Sequence, residues 1–206
     1  TYVAVQLLEQ EDSLTAESFK ELKGMMDKEF AKRYGIDEKD LMPWHYQGRY
    51  FQEAPLLYPI DLDKYYKGAD LEQLTKDYYA SIGLDITKVL NNSSLYPQEG
   101  KNQHAFCTDI DTKGDVRVLC NITENESWMS TMLHEFGHAV YMLGHDAANL
   151  PFALRNSAHI FTTEAIAMMM ERCSSNPLWL KEFRGISEKE SQEIEENSFK
   201  QSRLAK

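Results

Sequence analysis

Residues Thr131 to Tyr141 read Thr-Met-Leu-His-Glu-Phe-Gly-His-Ala-Val-Tyr and contain His134-Glu135-x-x-His138. On a helix, a spacing of four places both imidazoles one turn apart on the same face, with a carboxylate beside them. That arrangement suits a zinc ion, Zn2+, which would polarise a water for attack on a carbonyl. Two histidines do not complete such a site. A third protein donor has to come from a neighbouring element, and the rest of the chain is read for it.

The surrounding pattern is helical. Thr123-Glu124-Asn125-Glu126 has the spacing of a capping box, and the helix it opens is expected to run through the motif to Gly144. A connector from Asp146 to Arg155, containing Pro151, leads to a second helix over about Ala158 to Arg172. That helix is so rich in Ala, Ile and Met that burial is expected. Within it lies Glu164. A carboxylate among apolar residues is costly to bury unless it is paired or bound to a metal, so Glu164 is the expected third ligand. Glu171 lies two turns further along the same face and is placed to orient one of the histidines. Glu135, next to the metal but not on it, is the expected general base.

Elsewhere, Phe19, Leu22, Met26 and Phe30 recur at helical spacing between Thr15 and Tyr34, with Gly35 as a stop. Pro43 followed by Trp44, His45 and Tyr46 reads as a helix start whose rings fill core, with His45 a packing residue. Asp70 is expected to cap a helix ended by Gly83. Runs at His104–Ile110 and Val116–Ile122 predict a β-hairpin turning at Thr112-Lys113-Gly114-Asp115. The midpoint of that turn is equidistant from Cys107 and Cys120. They would face each other across the ladder, as two buried thiols or as a disulfide in an oxidising compartment. Asn176-Pro177 restarts a short helix, and Ser187-Glu188-Lys189-Glu190 caps a charged final one.

Composition narrows the partners. The 206 residues are 42% hydrophobic and 11% aromatic, enough for a buried core. The net charge of −11 comes without a basic stripe, which argues against nucleic acid and anionic membrane surfaces. No run approaches the roughly 20 apolar residues of a membrane span. Three cysteines make no disulfide framework. The chain opens on Thr1, so a missing native N-terminus is expected and the compartment stays open, the cytoplasm being preferred to export. Oligomeric state is not legible.

Taken together, Leu95-Tyr96-Pro97-Gln98-Glu99-Gly100-Lys101-Asn102-Gln103-His104-Ala105, then His134-Glu135-Phe136-Gly137-His138, then Glu164 and Glu171 resemble the thimet oligopeptidase and oligoendopeptidase F family. The connector Leu150-Pro151-Phe152-Ala153-Leu154-Arg155 with Glu164-Ala165-Ile166 is closer to angiotensin-converting enzyme, a related peptidyl-dipeptidase. The resemblance spans about residues 40 to 175. It implies a mainly α zincin fold with a small hairpin lining a channel, zinc held by His134, His138 and Glu164, and short peptides as substrates. It also implies that His104 and Ala105 lie on the strand that pairs with substrate backbone. Two departures stand out. Met168 occupies the position where the converting-enzyme pattern has an acid, and Glu171 follows the oligopeptidase pattern instead. No residue here matches the downstream His and Tyr that stabilise the oxyanion in those families; Tyr141, His145 and His159 fall at other positions.

The expected molecule is therefore a single piece, residues 1–206, of a larger gluzincin catalytic domain that carries its zinc half. Alone it would hydrolyse peptides weakly or not at all. A peptidyl-dipeptidase, or a non-catalytic helical zinc protein, are the alternative readings.

Overall fold

The computed structural model describes residues 2–46, 57–58, 60–144 and 149–202. It is mostly helical with one small antiparallel sheet, as the sequence predicts. Contacts divide the chain into two compact units, Thr1–Ile60 with Glu196–Lys206, and Asp61–Glu195. No helix among the described residues is long and apolar enough to cross a membrane. His145 lies outside the described residues.

In the first unit, helix α1 spans Tyr2–Tyr34 and begins well before the expected Thr15. Its apolar residues divide sharply: Phe19 is exposed, whereas Phe30 is fully buried. The cover for Phe30 is the 3-10 turn Pro43–Tyr46, whose Tyr46 ring meets it edge-on at 5.5 Å. The Tyr46 hydroxyl donates to Asp27 on α1. His45 Nδ1 accepts from the Met42 amide at 2.8 Å, so this histidine serves local packing.

The second unit carries the motif. Helix α2, Leu71–Ser81, starts where the Asp70 carboxylate accepts the Gln73 amide, and a short helix α3 follows at Thr87–Asn92. Strands β1, Phe106–Asp109, and β2, Val116–Leu119, form the hairpin. Beyond β2 the chain pairs with another segment: the Cys120 amide donates to Ser94 O and the Ile122 amide to Leu95 O. β2 is thus flanked on both sides, whereas β1 pairs with β2 alone among the described residues.

The register corrects one expectation. Cys107 is opposite Val118, not Cys120, and both cysteines are free thiols. The turn centres one residue earlier than the sequence suggests, because Ile110 pairs with Asp115 through its amide and Asp111 Oδ1 caps the Lys113 and Asp115 amides. Moving the centre by one residue shifts the partner of Cys107 by two residues and keeps the same side chains on each face.

Helix α4 runs Glu126–Gly144 and buries Met129, Met132, Leu133, Phe136 and Ala139 completely. Here the expected capping box is not formed. Asn125 Oδ1 accepts the Trp128 amide, Asp63 accepts the Glu126 amide, and the Thr123 hydroxyl receives the Asn125 side-chain amide instead of a helix N–H. Buried Tyr79 of α2 donates to Leu133 O at 2.6 Å, which fastens α2 to the middle of α4. Helix α5, Ile160–Glu171, lies along α4. It is buried on one side only: Thr163, Ala167 and Met170 face inward, while Ile160, Phe161, Met168 and Met169 are exposed, contrary to the expectation from composition. Helices α6, Pro177–Arg184, and α7, Glu188–Ser202, follow, capped by Asn176 and by the Ser187–Glu190 box.

Since Asn125 makes the cap bond, Asn125→Ala should cost about 1 kcal/mol in urea unfolding, and Thr123→Ala less than half of that. Equal losses would restore Thr123 as the cap.

Candidate metal centre

His134, Gly137, His138 and Tyr141 repeat at helical spacing on the side of α4 that meets α5. On α5 the matching side carries Thr163, Glu164, Ala167, Met170 and Glu171. The two helices approach through backbone. A Cβ built on Gly137 would lie 2.9 Å from Ala167 Cα and 3.3 Å from Met170 Cγ. Only glycine fits there, and the small Ala167 opposite completes the close approach.

This proximity brings four predicted residues together. His134 Nε2 and His138 Nε2 are 3.1 Å apart. Glu164 reaches both, with Oε2 3.5 Å from His134 Nε2 and Oε1 3.6 Å from His138 Nε2. A zinc held at ordinary Zn–N and Zn–O lengths in tetrahedral geometry separates neighbouring donors by roughly 3.3–3.5 Å. The three observed separations are close to one face of such a tetrahedron. Among the described residues this is the one His, Cys, Asp and Glu group with metal-binding spacing, and it supplies three protein donors, not the four of a closed structural site.

The outer face of the His134 ring is also engaged. His134 Nδ1 lies 2.6 Å from Glu171 Oε2. With Nδ1–H donating to that carboxylate, Nε2 keeps its lone pair and points toward His138 and Glu164. Met168, at the position of the acid in the converting-enzyme pattern, is 53% exposed on the outer side of α5. Glu171 occupies the orienting position instead, from the last residue of the helix.

Electrostatics sets the cost of this assembly. Burial holds the Glu135 carboxyl above its usual range, opposed by nearby His134 and reinforced by Glu164 and Glu171. The side chain is 8% exposed and has no hydrogen-bond partner among the described residues. Burial, with His134 adjacent, also lowers the pKa of His138, which favours the neutral imidazole that a metal requires. Cys107 lies close by, but burial pushes its thiol up to about 12, and it stays protonated.

His104 and Ala105 precede β1. His104 is exposed in a bend, its amide donating to Asn102 Oδ1 at 3.0 Å, and Ala105 is half-buried. No hydrogen bond or ion pair joins either to the histidine cluster among the described residues. Two features escaped the sequence reading. Buried Asn121 holds the preceding segment by donating to Asn102 O at 2.9 Å. A cavity of about 210 Å³ opens between β1, α4 and the connector, lined by Cys107, Asp109, Tyr141, Met142, Arg155 and Thr163. The legible signal was position: Met142 is one turn after His138, and Thr163 immediately precedes Glu164.

Two outcomes follow. Gly137→Ala should cost about 1–3 kcal/mol by overpacking against Ala167, read by urea unfolding. Glu135→Gln should raise the melting temperature of the metal-free chain at pH 7–8. The wild-type carboxyl, with its pKa raised by folding, carries a penalty that is absent below its unfolded value of about 4.3 and grows as pH rises through the folded one. The gain should therefore vanish near pH 4; a gain independent of pH would contradict the assignment.

The sequence pattern of the peptidase M2 family, described as angiotensin-converting enzyme, matches residues 60–206. A search of curated proteins finds no match. The oligopeptidase family named on sequence resemblance is not what this comparison returns. The match takes in α4, α5 and everything between them, and more than two thirds of the chain, so the protein belongs to the angiotensin-converting enzyme family of zinc metallopeptidases.

Proposed function

We propose that this chain carries the zinc site of a peptidase acting on short peptides, with His134, His138 and Glu164 as ligands and Glu135 as general base. The observation that supports this most strongly is the triangle of His134 Nε2, His138 Nε2 and the Glu164 carboxylate, backed by Glu171 on the far side of the His134 ring. Zinc, when bound, supplies a Lewis acid that polarises the scissile carbonyl and makes a water acidic enough to be deprotonated near neutral pH.

The residues then divide the work. Glu135 is placed one position from His134, buried and without a hydrogen-bond partner among the described residues, so its carboxylate is a competent base whose proton affinity burial enhances. It takes the proton of the attacking water and returns it to the departing amine. Glu171 keeps His134 in the tautomer that leaves Nε2 available. Among the described residues the outer edge of β1 has no strand partner, which suits backbone pairing with an extended peptide, and His104 and Ala105 lie where that edge begins.

A second reading concerns where cleavage occurs. Removal of dipeptides from the carboxyl terminus is the alternative to cleavage within the peptide, and membership of the angiotensin-converting enzyme family is what suggests it. A pair of otherwise identical peptides, one with a free terminal carboxylate and one amidated, separates them. Loss of turnover on amidation supports the dipeptidyl reading, and equal turnover supports an oligopeptidase.

Metal analysis tests the ligand set independently of turnover. Glu164→Gln should lose zinc by about tenfold or more in affinity, while Glu135→Gln should retain stoichiometric zinc and lose hydrolysis by at least about 10². Wild-type zinc content in Glu164→Gln, or zinc loss in Glu135→Gln, would overturn the assignment of roles.

A further inference from the structure

Glu171 is the last residue of α5, and that position raises a difficulty. Helix ends fray, and their final carbonyls lack intrahelical partners. A carboxylate meant to fix the His134 ring would be poorly held there unless something pins the turn that follows. Ser174, in the 3-10 turn Arg172–Ser175, is only 1% exposed. Its Oγ lies 2.7 Å from Glu126 Oε1 and 2.8 Å from the carbonyl oxygen of Glu171. Its own carbonyl accepts the hydroxyl of fully buried Tyr66. Glu126 opens α4, two helical turns before His134, and its amide is held by Asp63 at 2.9 Å.

We infer that Ser174 is a positioning residue: by joining Glu126 to the Glu171 backbone, it holds the last turn of α5 against the first turn of α4 and keeps the Glu171 carboxylate on His134. The hydroxyl has one proton and two acceptors. The Glu126 carboxylate, carrying charge, takes the stronger share, and the Glu171 carbonyl receives the remainder. Gly137 fixes the separation of the helices at their middle. The Ser174 tie fixes them at the end from which Glu171 reaches back. Truncating Ser174 leaves the half-buried Glu126 carboxylate and the Glu171 carbonyl without this donor, and the end turn loosens while the core residues stay packed. The consequence for metal affinity rests on the zinc reading above; the consequence for the imidazole does not.

The test uses the metal-free and zinc-loaded chain. In the metal-free protein, nitrogen-15 NMR of the histidine rings should show His134 mostly as the Nδ1–H tautomer in wild type and in Ser174→Thr, and as a mixture in Ser174→Ala and Glu171→Gln. By chelator competition, Ser174→Ala should weaken zinc binding about tenfold, and Ser174→Thr should restore most of it. The double variant Ser174→Ala/Glu171→Gln should bind no more weakly than Glu171→Gln alone, since the tie acts through Glu171. Should Ser174→Ala fold poorly, Glu126→Gln, which keeps a neutral acceptor, should give a smaller shift in the same direction. An unchanged His134 tautomer in Ser174→Ala, or losses of affinity that simply add in the double variant, would overturn the inference. A wild-type chain that binds no zinc yet shows the tautomer shift would sink the zinc reading and leave the positioning role standing.

Discussion

Everything specific about this molecule depends on two helix backbones being allowed to touch. At Gly137 the missing Cβ lets α5 come within 2.9 Å of where that atom would sit, against the Cα of Ala167. Ordinary side chains would hold the helices at about 8–10 Å between axes. Glu164, one turn before Ala167, and Glu171, one turn after it, reach the histidines because the contact lies between them. A wider separation of the helices would demand a longer side chain than glutamate has. The glycine inside the His-x-x-His stretch is thus a geometric requirement of the site.

The same closeness concentrates charge. Glu135, Glu164 and Glu171 converge on two imidazoles in a setting dry enough to raise the Glu135 pKa and lower that of His138. Such a cluster opposes folding by itself, because carboxylates repel one another and desolvation disfavours their ionised forms. A divalent cation held by His134, His138 and Glu164 would offset that repulsion. Around the cluster the structure supplies apolar packing in compensation: five fully buried residues of α4, and Tyr79 anchored to the Leu133 carbonyl. Strain at the site and support beneath it are parts of one arrangement.

Much of this was legible from residues alone. The spacing of His134 and His138, the apolar positions of α4 and the placement of Glu164 and Glu171 are local periodicities, and helices translate period into face directly. What the sequence could not fix was whatever depends on a partner remote in the chain. The hairpin register followed Asp111 capping two amides, which moved the turn and put Val118 opposite Cys107. The start of α4 was decided by Asn125 and by Asp63, sixty-three residues away from the amide it accepts. The exposed side of α5 was misread because composition reports how apolar a helix is and not how many of its faces are covered. Asn121 and Ser174 gave no signal at all, since single polar residues acquire meaning only through what they touch.

The central claim is that two imidazoles and one carboxylate, with no sulfur, bind a single zinc. X-ray absorption at the zinc edge of the loaded wild-type chain reads this directly. The account predicts one zinc per chain with only nitrogen and oxygen scatterers at about 2.0–2.2 Å, two of them carrying the outer-shell pattern of imidazole. A sulfur scatterer near 2.3 Å, which would bring Cys107 into the site, or the absence of imidazole scattering, would contradict it.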